Sequence, residues 1–416
     1  MISFWRIFWL ELTAFVRSKS LAALMAVSVA WMFALPYLVR GDGTADGVRE
    51  LYVHYSLGGV FALLVVTLLA SATGSLARER AAKRLQLTMV RPVRYFTIAL
   101  GKIVALVSVG ALVLAVVCAV LAFRVDLSRP CNHVLSPVLP TPQEEARAMY
   151  DVFMNDPETP PAVKRARKGT VLRLLAQRAM DNYQTVQTND TAIWRFPGRE
   201  TDDTPAVRLR FTNQLDMRQD VFGILRIGSA HGTVSNITQA VVTVPLTGDA
   251  TGADELVFEN HGTSALMLRP RRDINLLVRA DDFGKNLVRT YAELVAILSL
   301  IVSLGMLLSA GLGRPVALFV AFVALTVGEM SPSVIEQYPD ELETKTVDRI
   351  GLHVTRFAAE ATKPIFSLSP LAALSADECV ESREMGRLLL IDLLLAPIAF
   401  SLIVAFVIPR KQEDVA

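Results

Sequence analysis

The sequence predicts a polytopic α-helical membrane protein with six transmembrane helices, an N-terminal interfacial helix, and an extracytoplasmic α+β domain with an antiparallel sheet. Three observations predict it. Apolar residues make up 52% of the 416, too many for an ordinary soluble domain, and they fall in blocks of membrane-spanning length. A long stretch, 124–286, holds no such block and alternates strand-like runs with turns. Between two apolar blocks lies a strongly basic loop, Arg78 to Lys102, with seven Lys/Arg and one acid, Glu79.

The elements follow in order. Residues 1–19 place Phe4, Trp5, Phe8, Trp9, Leu12, Phe15 and Val16 at helical spacing, with Arg6, Glu11, Arg17 and Lys19 between them. That is the pattern of a helix lying in the membrane interface. Residues 20–123 hold the first three spans, Leu21–Val39, Leu57–Ala77 and Ile98–Phe123. A short polar loop from 40 to 56 joins the first two. The loop at 78–97 joins the second and third, and its Lys/Arg excess places it in the cytoplasm. Leu85, Leu87, Met89, Val90 and Val93 run among its charges, which reads as a short amphipathic helix broken near Pro92.

The 124–286 segment opens with prolines and continues through helix-forming stretches at 143–151 and 162–181. Strand-like runs follow at 206–211, 221–227, 240–244, 255–258, 265–269 and 274–278. The expected result is a helical entry followed by a sandwich-like antiparallel sheet. Residues 287–330 hold the fourth and fifth spans, turned tightly by Gly313-Arg-Pro315. Gly305, Ser309 and Gly313 recur every four residues and form a helix-packing face. A second outer segment covers 331–386. Residues 387–416 hold the sixth span and a cytoplasmic tail, so both termini are expected inside the cell.

The chemistry-bearing residues are sparse. The net charge of +2 argues for no partner class, and nucleic acid is not expected. Gly101-Lys102 lacks the remainder of a nucleotide-binding loop, so the chain is not expected to hydrolyse ATP by that route. The five His are scattered, and no catalytic residue, metal site or bound cofactor is expected. Asp392 and Glu293 lie near outer span ends. The expectation for both is a place at the outer interface, or for Asp392 a pairing such as with Arg387. Cys131 and Cys379 both fall outside in this topology and form a possible disulfide, if that compartment is oxidising.

The loop resembles the cytoplasmic coupling segment of type-2 ABC exporter permeases. Glu79 matches the family's acid after the second span. Leu85 and Leu87 match its leucines, Pro92-Val93 its Pro-Val, and Gly101-Lys102 its Gly-Lys. Lys83-Arg84, Gln86 and Arg91 depart from the pattern. The interfacial helix, the six spans and Phe283-Gly-Lys-Asn286 before the fourth span are also similar to that family. The resemblance implies the permease subunit of an ABC transporter, non-catalytic itself, in a bacterial cytoplasmic membrane. It implies two copies of an ABC ATPase subunit carrying ATP and Mg, and a second permease subunit, identical or related. Membrane lipids and an extracytoplasmic partner protein complete the expected contacts. Glu79, Leu85, Leu87, Met89, Arg91, Pro92 and Val93 would then dock the ATPase. The alternative is a membrane-anchored sensor or scaffold whose outer β domain binds a ligand or envelope protein.

Overall fold

The computed structural model describes residues 2–17, 19–38, 45–81, 94–157, 159, 161–164, 166, 168–180, 184–197, 205–210, 221–235, 241–250, 252–263, 265–336, 370–380, 386 and 389–413. They form two compact units. One takes residues 1–129 and 282–332 and the described residues from 370 onward; the other is built on Pro130–Asp281.

The first unit is helical. Its elements are α1 (Ile2–Arg17), α2 (Ser20–Leu38), α3 (Ala45–Ala81) and α4 (Tyr95–Arg124). Four helical segments are long and apolar enough to cross a membrane: Gly47–Glu79, Tyr95–Arg124, Phe283–Gly311 and Leu389–Ile408. The pair α1–α2 is bent by 61° and adds a fifth if taken as one broken span. The apolar part of the helix after Gly313, Arg314–Leu325, is shorter than a span. The six-span expectation therefore meets four or five among the described residues.

The expected polar loop over 40–56 is a correction. Residues 45–56 are helical, and α3 runs 37 residues without a break. The reason is a distant partner. Both terminal nitrogens of Arg49 donate to the Asp377 carboxylate, one at 2.7 Å. Tertiary pairing lets a polar turn extend an apolar helix that its own composition would end.

Packing explains the small residues. Trp31 of α2 donates its indole N–H to the Tyr55 carbonyl at 3.0 Å. It lies so close to Gly59 that an added Cβ would sit 2.4 Å from that nitrogen. The helix α9 (Phe283–Gly311) is the centre of the unit, with 72% of its apolar window buried against 33% for the last span. Leu294, Leu298, Val302 and Met306 of α9 join Leu64 and Leu68 of α3 and Leu106 and Val113 of α4 in one core. After α9 come α10 (Arg314–Glu336) and α11 (Pro370–Ser375). A π-helical turn, Leu389–Leu395, then leads into α12 (Ala396–Glu413).

The second unit begins with β1 (Pro130–Leu135), α5 (Pro142–Asn155), α6 (Pro161–Lys164) and α7 (Lys168–Met180). Thr141 and Glu144 cap α5 reciprocally. The Thr141 hydroxyl accepts from Glu144 N at 3.2 Å, and the Glu144 carboxylate accepts from Thr141 N at 2.7 Å. That backbone N–H holds the Glu144 carboxyl below its ordinary value. The expected helix over 162–181 is two pieces, α6 and α7.

Strands β2 (Gln184–Val186), β3 (Thr191–Arg195), β4 (Ala206–Arg210), β5 (Phe222–Ile227) and β6 (Ala230–Ser235) follow. Then come β7 (Val241–Pro245), β8 (Glu255–Asn260), β9 (Leu266–Leu268), the short α8 (Pro270–Asp273) and β10 (Ile274–Asp282). The sheet orders are β1-β10-β4-β7, β3-β8-β5-β6 and the two-stranded β2-β9. The pairs β4–β10, β4–β7, β2–β9, β3–β8, β5–β6 and β5–β8 are antiparallel. Val207, Leu209, Ile274 and Leu276 from the first sheet share a core with Trp194, Leu225, Leu256 and Phe258 from the second. Period-two alternation drives this: β3 and β6 bury every other side chain. Gly228, at φ 60°, supplies the left-handed position of the β5–β6 hairpin.

Candidate functional site at the root of the basic loop

The loop predicted to meet a partner leaves α3 and returns through α4. Leu85, Leu87, Met89, Arg91, Pro92 and Val93 lie outside the described residues. Glu79 and the two roots lie within them, and the roots are tied together by one buried cation.

Lys102 sits two turns into α4, in an apolar run, and is 4% exposed. A buried ammonium needs acceptors for its three N–H groups. It has three: Glu79 at 2.8 Å, Ser75 Oγ at 2.9 Å and Glu11 at 3.0 Å. Ser75 and Glu79 are four apart on α3, so they share a face. Glu11 comes from α1. Ser75 Oγ also lies 3.4 Å from the second Glu11 oxygen. Two carboxylates, from α1 and α3, thus converge on one ammonium of α4.

The neighbouring glycine makes the arrangement possible. A Cβ on Gly101 would sit 3.0 Å from Ile7 Cγ2, so the missing side chain lets α1 press onto the start of α4. The sequence pair Gly-Lys therefore has two jobs on one helix turn: one residue admits α1 and the next binds it.

Further contacts brace the α3 root. The Ser309 hydroxyl of α9 lies 3.1 Å from Leu76 N and 3.2 Å from Ala77 N. Gly305, one turn earlier, sits where a Cβ would be 3.0 Å from Leu69 and 3.1 Å from Ala72. Gly313 has open space around it. Of the three small residues read as one packing face, the structure brings Gly305 and Ser309 against α3 and leaves Gly313 in the turn before α10. Arg314 approaches Gly74 from α10, its Nε 3.1 Å from where a Cβ would be. Helices α1, α3, α4, α9 and α10 thus meet at the loop's two roots.

Asp392 is 2% exposed and is the buried residue of the π-helical turn, rather than facing an outer edge. The wider π turn carries its side chain inward. The proposed partner Arg387 lies outside the described residues. Glu293 is likewise buried, at 1%. Cys118 is a free thiol, whereas Cys131 and Cys379 are disulfide-bonded. Among the described residues no group of three His, Cys, Asp or Glu converges to hold a metal ion.

Nothing local in the sequence joins Lys102 to Glu11, which are 91 residues apart. The usable signal was an isolated lysine and an isolated glutamate within otherwise apolar helical faces, each of which needs a counter-charge. No protein-family model, curated protein or solved structure matches this chain.

Proposed function

We propose that the chain is the permease subunit of an ABC transporter, moving or extracting a substrate with energy from ATP hydrolysed by a separate ATPase subunit. The observation that carries this reading is the Lys102 cluster. A loop that receives a push is useful only if its roots are locked to the helices that must move, and here a buried three-way contact joins α1, α3 and α4 at those roots. A loop serving only to orient the chain needs positive charge and no such lock. The leucines interleaved in the sequence of the loop are the residue type that an ATPase groove would take.

In this reading 78–97 faces the cytoplasm of a bacterium, both termini lie inside, and the β unit stands outside the cytoplasmic membrane. Disulfide-bonded Cys131 and Cys379 fit an oxidising outer compartment. A second permease subunit packs on an exposed apolar helix face, such as that of α10, where Phe319 and Phe322 are more than 60% exposed. The β unit receives or hands on cargo.

Two measurements test it. Changing both Leu85 and Leu87 to Asp is expected to abolish co-purification of an ATPase in detergent and to uncouple ATPase activity in membranes. If no ATPase accompanies the wild-type chain and the double change alters nothing, the sensor or scaffold reading takes its place. A cysteine at Thr191, exposed on β3, is expected to react with an impermeant thiol reagent added to intact spheroplasts. Reaction only after the membrane is opened would invert the topology.

A further inference from the structure

At the end of α4 opposite Lys102 lies a cavity of about 230 Å³, framed by the ends of α2 and α4 and the start of α3. Its apolar wall includes Leu35, Val48 and Val125, and its polar side Arg49, Tyr52 and Arg124. We propose that it binds the headgroup of one anionic phospholipid, with the phosphate on Arg124. The proposal rests on the membrane placement of this unit and not on transport.

Depth is the first argument. Near Gly101, α4 meets α1, whose Trp5 and Trp9 are both 55% exposed. At the other end Phe123 is 92% exposed, and Tyr37, one residue beyond Pro36 of the cavity, is 90% exposed. Exposed aromatics gather at the two membrane–water interfaces. From Gly101 to Phe123 is 22 residues of helix, roughly 33 Å at 1.5 Å per residue. A hydrocarbon core is about 30 Å thick. The cavity therefore opens at headgroup level.

Charge is the second. Two guanidinium groups line the cavity, and Arg49 is held by the Asp377 carboxylate. Arg124 rests over the Phe33 ring, 5.3 Å from its centroid, and among the described residues no carboxylate pairs with it. The Arg124 guanidinium is a charge that a phosphodiester monoanion balances. A guanidinium fork matches two phosphate oxygens, and the ring holds the fork in place.

Size and lining are the third. The volume equals roughly eight water molecules at 30 Å³ each, enough for a phosphate and its glycerol. The acyl chains would lie outside, along the exposed Phe33 and Phe123. A soluble anion has no use for that apolar surround.

Native mass spectrometry of the full chain in detergent tests this, with phosphatidylglycerol, phosphatidylcholine and inorganic phosphate as probes. One phosphatidylglycerol is expected to be retained about fivefold better than phosphatidylcholine, the ratio that one basic residue at a charged lipid surface gives. Arg124→Gln should bring the two lipids to parity. Val48→Trp, on an exposed position, should fill the cavity and remove retention with both arginines intact. Equal retention by the wild type, a preference that survives Arg124→Gln, retention that survives Val48→Trp, or displacement of the lipid by phosphate alone would each overturn the proposal.

Discussion

Lys102→Met is expected to lower the stability of the chain by about 3–5 kcal/mol, the range for removing one partner of a buried ion pair. The change leaves Glu11 and Glu79 facing the same small volume with no cation between them. The ammonium that screened them is 2.8 Å from one and 3.0 Å from the other. The loss should register as a lower midpoint in a thermal scan in detergent, with both proteins compared at one scan rate. Adding Glu11→Gln and Glu79→Gln should recover most of the loss, because neutral groups carry no stranded charge. The triple variant also separates stability from coupling. If the cluster transmits force from the loop, the triple variant is stable and poorly coupled to the ATPase. A single Lys102→Met variant as stable as wild type would show that the cation is not needed.

The second large effect lies in the β unit. Phe258→Ala is expected to cost about 3–5 kcal/mol, as for other fully buried phenylalanines. Phe258 has no exposed surface and lies nearly parallel to Trp194, with ring centroids 6.3 Å apart. It also covers Gly223, where a Cβ would be 2.5 Å from its ring. Its stacked neighbour Trp194 is held in place by its indole N–H, which donates to Gln184 at 2.7 Å. Ile193→Ala on the solvent face of β3 is the control and should change stability by less than about 0.5 kcal/mol. Limited proteolysis of the full chain reads both; equal cleavage of the two variants would contradict this packing.

Local pattern and distant pairing differ in how far they can be read. Strands β4, β5, β7, β8 and β10 fall where alternation and turn residues placed them, because a strand's period is written in consecutive residues. Strand β1 is hidden among prolines, yet Pro130 only opens the strand and Pro137 and Pro140 follow it. β6 is hidden as well, since Ala230-His-Gly-Thr-Val-Ser alternates but is poor in large apolar residues. The extra turns of α3 were illegible for another reason. Their support, Asp377, is 328 residues away. The same holds for the site: Glu79 carried a local motif, but Glu11 and Lys102 are 91 residues apart and meet only after three helices have packed.

The Arg49–Asp377 clasp also bears on how the chain is made. At about 5–20 residues per second, ribosomes add the intervening 328 residues in roughly 16–66 s. Throughout that interval the first turns of α3 hold a guanidinium whose acid does not yet exist. The early helices must therefore enter the bilayer with that end unfinished, and a segment made 328 residues later completes it. Truncation just before residue 377 would leave a nascent chain with every early span present and its opening turn unsecured.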